Sequence, residues 1–347
     1  MLFNVKKIIK KYICIIKYLK YKKMCKKSGK TEFLIFNTPI HGNIGDHAII
    51  YAEYKMLEKE KIKAFEIPTF QEEYYFDYIK NNVSEDAVIA ITGGGFIGSQ
   101  WMTEENLVNK VVQIFKKHKI IIFPCTIYFK EDKFGKEELE KSIRIFNDAE
   151  NLNIFARESK TYEFAKNVYK NANVLLVPDI VLSLEKQDLD KERKGILFCL
   201  RKDVEGVVSE KDKNSMYEIV SKIETDIKNT DTVVNYSIKP KNRKREIEEK
   251  IEEFSSAKVV ITDRLHGMIF AVITNTPCIV LGNYNYKVKG VYDDWIKEKV
   301  NNVIFVENIN QIPEYIAKLN NIKNENKVKF DFKELINVLE KDYGFTN

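Results

Sequence analysis

No two of the five cysteines, Cys14, Cys25, Cys125, Cys199 and Cys278, form a C-x-x-C pair, and their number is odd. A disulfide framework is therefore not expected, and Cys125, Cys199 and Cys278, in or beside apolar runs, read as reduced core residues. Histidine is scarce as well: four residues without ligand spacing give no zinc signature, and no metal is expected. The chain lacks low-complexity runs and any repeat at a fixed period, which excludes a solenoid. No small-residue cleavage site follows the N-terminal apolar pattern, so a secretory signal is not expected. Together with the cysteine usage, this points to the cytoplasm.

The first thirty residues lack acid altogether and hold eleven lysines. They produce the whole formal charge of +6, because without them the chain carries 46 basic against 51 acidic residues, a net of −5. The mildly acidic body gives no reason to expect nucleic-acid binding. On an ideal helix Val5, Ile8, Ile9, Tyr12, Ile13, Ile15, Ile16 and Leu19 fall in one arc roughly 160° wide, with Lys6, Lys7, Lys10, Lys11 and Lys17 opposite. Residues 1–30 are thus predicted to be a basic amphipathic helix that anchors the protein to an anionic membrane surface, peripherally and at the inner face of the cytoplasmic membrane. Lysine interrupts every apolar run, so the segment does not span a bilayer. The alternative is a helix packed on the protein's own body with its lysines solvated.

From Thr31 onward, short apolar runs alternate with helical patterns. The 347 residues suffice for two domains, and the alternation predicts two parallel-sheet α/β domains with right-handed crossovers. The charged stretch 183–194 reads as the linker between them. Strands are expected at 33–36, 87–91, 119–124, 153–156, 174–177, 195–200, 232–234, 259–262, 277–281 and 303–306. Helices are expected after residue 47, at 160–168, 210–228 and 243–257, after 264, and at 309–320 and 331–342.

The chemistry gathers where strands hand over to helices, the edge at which α/β sheets bind ligands. Val259–Thr262 leads through Asp263 and Arg264 to His266 at a helix start, which supplies a fixed cation and a titratable proton beside free N–H groups. Gly42, Asn43, Gly45 and Asp46 follow the first strand, and their spacing fits neither a Walker loop nor a dinucleotide fingerprint. An ordinary turn with Asp46 as N-cap is the alternative there. Gly93, Gly94 and Gly95 follow another buried strand; three glycines cost backbone entropy, so something must approach the backbone closely. Arg157 and Arg201 also stand at strand ends.

The ordered set GNIGDHAI (42–49), ITGGGF (91–96), ARES (156–159), PDIVLSL (178–184), CLRKDVE (199–205), TDRLHGMIFA (262–271) and NYNYKVKGVYDDW (283–295) resembles the polysaccharide pyruvyl transferase family. The resemblance spans residues 32–296 and leaves the basic helix outside. It implies a glycosyltransferase-B-like fold of two Rossmann-like domains facing across a cleft; the pattern along the chain places these at 31–185 and 195–322, with a C-terminal helix expected at 323–347. It implies transfer of a pyruvyl group from phosphoenolpyruvate, without a cofactor, to two hydroxyls of a sugar in a lipid-linked or polymeric glycan, which yields a cyclic ketal. It makes Arg264, His266 and Arg201 the active-site candidates, although Asp263 departs from what many relatives have before the arginine. Asn283, Tyr286 and Lys287 join Arg157 and the two glycine loops as substrate-binding candidates.

The donor's phosphate and carboxylate call for several cations, and arginine grips either group bidentately. A group with pKa near 7 suits protonation of the enol C3, which makes His266 the candidate acid. Asp263 or Asp46 is then placed to accept a hydroxyl proton, and arginines can stabilise the leaving phosphate without a metal. Two rival readings remain: a nucleotide-sugar glycosyltransferase of the same fold, and a non-catalytic subunit of a glycan-assembly complex.

Overall fold

Strands that are apolar on both faces need helices on both sides, which is the condition for an all-parallel sheet. The computed structural model describes residues 2–184, 192–201, 208–282, 286–322 and 328–340. Two such sheets form. The first contains β1 (Phe33–Thr38), β2 (Ala64–Pro68), β3 (Val88–Ile91), β4 (Gly94–Gly98), β5 (Lys119–Tyr128), β6 (Asn151–Ala156) and β7 (Asn173–Leu176). Its order is β2-β1-β3-β5-β6-β7, with β4 paired to β5 beyond the end of β3. The second contains β8 (Ile196–Cys199), β9 (Ile227–Thr230), β10 (Val259–Thr262), β11 (Cys278–Leu281) and β12 (Val303–Val306), in the order β12-β11-β10-β8-β9. Both sheets are doubly wound. In each, the chain reverses direction next to its first strand, between β1 and β3 and between β8 and β10, so both topological switch points open at carboxyl ends of strands.

Several elements differ from the sequence expectation. The helix expected over 210–228 ends at Ser221, and the strand after it is β9, not 232–234. β9 reads Ile-Lys-Asn-Thr; as an edge strand paired only with β8, it tolerates polar residues that conceal it from a hydrophobicity pattern. Residues 232–234 instead meet the loop before the helix Ile44–Lys59: Ile44 N–H donates to the Thr232 carbonyl at 2.8 Å and Val234 N–H to the Gly42 carbonyl at 2.8 Å. Edge strand β2 and the helices Glu72–Asn82, Met102–Ile114 and Lys133–Asn147 have no counterpart in the sequence pattern, and the glycine stretch read as a loop after β3 contains β4.

The two halves share a core. One apolar cluster joins Ile49, Ala52 and Leu57 of the helix Ile44–Lys59 to Ile247 and Phe254 of the helix Arg243–Ser255 and to Phe270. The helix Lys333–Glu340 crosses back to the first sheet, where Lys119 Nζ donates to the Val338 carbonyl at 2.6 Å. The N-terminal helix runs from Leu2 to Ser28, well past residue 19, and docks on the first domain through buried Cys14, Tyr18, Tyr21 and Cys25. Tyr18 donates to Glu32 at 2.6 Å and Tyr21 to the Lys63 carbonyl at 2.9 Å. Among the described residues no helix is long and apolar enough to cross a membrane.

Candidate functional site

Thr262, the last residue of β10, fixes the turn that carries the histidine. Its Oγ1 donates to the Cys199 carbonyl at 2.7 Å and accepts from Arg264 N–H at 3.0 Å. A Cβ on Gly267 would collide with this hydroxyl, so the glycine lets the helix Leu265–Ile273 start tight against the strand. Asp263 is fully buried; its Oδ1 accepts from the Arg201 N–H at 2.8 Å, which ties the ends of β8 and β10 together. Its Oδ2 has no hydrogen-bond partner among the described residues, and burial raises the carboxyl's pKa. Arg264 Nη2 pairs with Asp231 at 2.8 Å. Arg201 and Asp231 border an open cleft of about 990 Å³ over β8 and β9, together with Lys213, Asn214, Tyr217 and Asn229.

His266 points the other way, across the seam into the first domain. Its Nε2 stands 3.7 Å from Asp179 Oδ2 and makes no hydrogen bond to a described residue. The same Asp179 oxygen accepts from Arg157 Nη1 at 2.8 Å, and Arg157 Nε donates to Thr126 Oγ1 at 2.9 Å. Arg157 is 2% exposed and Asp179 fully buried. A Cβ on Gly45 would collide with the imidazole, and one on Gly95 would stand 3.0 Å from Arg157 Nη2 and 3.8 Å from Lys287 Nζ. The two domains thus bring His266, Asp179, Arg157, Lys287, Gly45 and Gly95 to one place, with Asp46 in electrostatic range of the imidazole. Burial lowers the His266 pKa; Asp179 works against this and Arg157 with it.

Other candidates have structural duties. Gly42 makes room for the Val234 carbonyl and Gly93 for the Pro124 carbonyl, so the close approach inferred from these glycines comes from the chain's own backbone. Gly94 has φ +139°, a conformation that only glycine adopts readily. Asn43, not Asp46, is the N-cap: its side chain accepts from Gly45 N–H at 3.0 Å and donates to Asp46 at 2.7 Å. The Tyr286 hydroxyl donates to the Ile127 carbonyl at 2.5 Å and so serves as a strut between domains. Trp295 Nε1 donates to the Arg157 carbonyl at 2.9 Å, and Asp294 receives both Ser159 N–H and Oγ. The ARES and YDDW motifs therefore clasp each other. Asn283 lies outside the described residues.

Sequence reasoning missed Asp179, Asp231 and Thr126 as neighbours of the site. Asp179 follows a proline after an apolar strand, the same strand-end signal that marked the arginines, whereas Asp231 directly follows an edge strand that the hydrophobic pattern does not show. It also missed Glu53, which is fully buried and receives Gly93 N–H at 2.7 Å and Thr92 Oγ1 at 3.0 Å. Burial pushes its pKa up to about 8.

The sequence profile of polysaccharide pyruvyl transferases matches residues 43–286. General stress protein 30 of Bacillus subtilis (strain 168) is 36% identical over 274 residues, covering 78% of this chain and 79% of that protein. Pyruvyl transferase 1 of Schizosaccharomyces pombe is 25% identical over 288 residues, covering 78% and 71%. The crystal structure of an uncharacterized protein from Klebsiella pneumoniae superposes with a TM-score of 0.59 at 21% identity, covering 84% of this chain and 98% of that one, a likeness of fold. Two doubly wound domains meeting at their switch points make a glycosyltransferase-B-like architecture. On the match of its sequence over residues 43–286, the chain belongs to the polysaccharide pyruvyl transferase family.

Proposed function

We propose that the chain transfers the pyruvyl group of phosphoenolpyruvate to two hydroxyls of a sugar in a glycan precursor, at the cytoplasmic side of the membrane. The observation that carries this reading is the buried group of Arg157, Lys287 and His266 at the seam of the two domains. Buried cations at the carboxyl ends of strands suit a small trianionic donor. Burial lowers the His266 pKa and so favours the neutral imidazole. A bound phosphate and carboxylate reverse that field, so His266 takes up a proton together with the donor. It delivers this proton to C3, which becomes a methyl group and leaves an oxocarbenium-like C2. One sugar hydroxyl bonds to C2, phosphate departs with the C2–O bond's electron pair, and the second hydroxyl closes the ketal. Of the two hydroxyl protons, one reloads His266 and the other leaves with phosphate. Asp46, partly exposed and near the imidazole, is better placed than sealed Asp263 to relay them. Asp263 acts by position, holding the backbone of Arg201, which borders the second-domain cleft that we assign to a polyhydroxylated acceptor; Arg264 bears on that cleft through its pair with Asp231.

Incubation with phosphoenolpyruvate and lipid-linked oligosaccharides should release phosphate and add a pyruvyl ketal to the glycan, detected by mass. His266→Gln should lower kcat on the order of a hundredfold or more with donor binding largely kept. Wild-type turnover in that variant removes His266 from the chemistry. Consumption of a nucleotide sugar in place of phosphoenolpyruvate favours the glycosyltransferase reading.

A further inference from the structure

The N-terminal helix docks with the wrong face for a helix whose apolar residues were meant only for a core. Cys14, Tyr18, Tyr21 and Cys25 face the first domain, while Ile8, Ile9, Tyr12, Ile13, Ile16 and Leu19 face outward. Ile8 is 55% and Tyr12 64% exposed. At about 100° per residue the two sets lie on opposite sides of the helix. The outward stripe runs from Val5 to Leu19, about 21 Å at 1.5 Å per residue. In the following two turns the same outward side carries Lys20, Lys23, Lys26 and Lys27, all exposed. Other lysines turn inward: Lys7 pairs with Glu73 at 2.8 Å and Lys11 with Asp77 at 3.2 Å. No acid occurs in the first thirty residues to offset the outward charge.

We propose that this helix face is a docking surface for an anionic lipid bilayer, with Ile8–Leu19 entering the interface and Lys20, Lys23, Lys26 and Lys27 meeting headgroups. An apolar stripe continued by cations on one face is the form of an interfacial helix, and a water-soluble core has no use for it. The cationic end selects an anionic surface over a neutral one. The body holds the helix rigidly through Tyr18 and Tyr21, so the stripe is presented without a folding cost. This inference is independent of the pyruvyl chemistry.

The test is co-sedimentation of the full chain with phosphatidylglycerol-containing and pure phosphatidylcholine vesicles, at low and high salt, together with its molar mass in solution. The wild type should bind the anionic vesicles only, and less at high salt. Ile9→Glu with Ile16→Glu should abolish binding without changing the melting temperature, because both residues are exposed. Replacing Lys20, Lys23, Lys26 and Lys27 by Gln should weaken binding at least a hundredfold, at roughly fivefold per lysine. Replacing Lys7 and Lys11 by Gln should change it far less. Equal binding to neutral vesicles, no binding to either, or an unchanged quadruple variant overturns the proposal. So does a wild-type dimer that the glutamates dissociate while vesicle binding is absent.

Discussion

Asp179 touches both Arg157 and the approach to His266, so its charge does two things at once. It neutralises a sealed guanidinium and raises the histidine's pKa against the effect of burial. Asp179→Asn should therefore lower kcat and move the pH at which donor-bound His266 loses its proton to lower values. A pH–rate profile checks this; an unmoved profile with reduced activity would confine Asp179 to holding Arg157. Glu53 offers a separate test through stability. Its folded pKa of about 8 exceeds the ordinary 4.5, so the folded state prefers the protonated form. Stability from that preference is fully present below about pH 4.5 and is lost as pH rises toward 8. Glu53→Gln keeps the acceptor for Gly93 and Thr92 and has no proton to lose. Its melting temperature should match wild type near pH 5 and exceed it at pH 9.

At the scale of elements, the legible parts were those whose hydrophobic period had no competitor. Central strands β1, β3, β5, β8, β10 and β11 are short apolar runs, and their order with the helices fixed the parallel architecture. The strand-end positions of Arg157, Arg201, Arg264 and His266 could be read as well, because a strand-to-helix switch places a residue at the sheet's carboxyl edge whatever lies elsewhere. Edge strands β2 and β9 were not legible, since half-exposed strands accept Lys, Asn and Glu. Nor were contacts between distant segments: no local pattern shows that Gly42 faces Val234 or that Gly45 faces His266. That difference separates two glycines of a single loop experimentally. Gly45→Ala gains helix propensity at a helix start but sets a methyl group against the buried His266 ring, so stability should fall by about 1–3 kcal/mol. The new methyl group displaces the imidazole, and kcat should fall on the order of tenfold or more. Gly42→Ala pushes against the 232–234 backbone and should lower the melting temperature first. If both variants lose stability equally and activity only in proportion, Gly45 has no special relation to His266.

At the scale of the whole molecule, the site exists only while the domains are closed on each other, since His266 and Lys287 come from one and Arg157, Asp179 and Gly45 from the other. Besides the shared apolar core, a polar weld holds that closure. Arg243, in the helix Arg243–Ser255, pairs through Nη2 with Glu66 of β2 at 2.5 Å and donates from Nε to His47 Nδ1 at 3.2 Å. His47 is fully buried, and its Nε2 lies 2.8 Å from the His41 carbonyl. For Nδ1 to accept, the proton must sit on Nε2, so the ring is neutral with both nitrogens used. Burial, and then the charge of Arg243, hold its pKa down at about 4. The unfolded chain takes up a proton near pH 6.5 that the folded chain refuses, so this site costs stability progressively as pH falls from about 6.5 to about 4. His47→Gln can accept from Arg243 and donate to His41 without titrating. The difference in unfolding free energy between this variant and wild type should therefore grow in the variant's favour across that window and stay flat above pH 7. Arg243→Ala should be destabilising near neutral pH, by about 3 kcal/mol, because it strands Glu66 and leaves His47 Nδ1 without its donor. It should also cut turnover beyond the loss of folded protein, since the domains part where His266 must reach Arg157. Denaturant unfolding across pH, alongside kcat per folded molecule, separates these outcomes. Arg243→Ala with normal turnover per folded molecule would mean that the apolar core alone keeps the site closed.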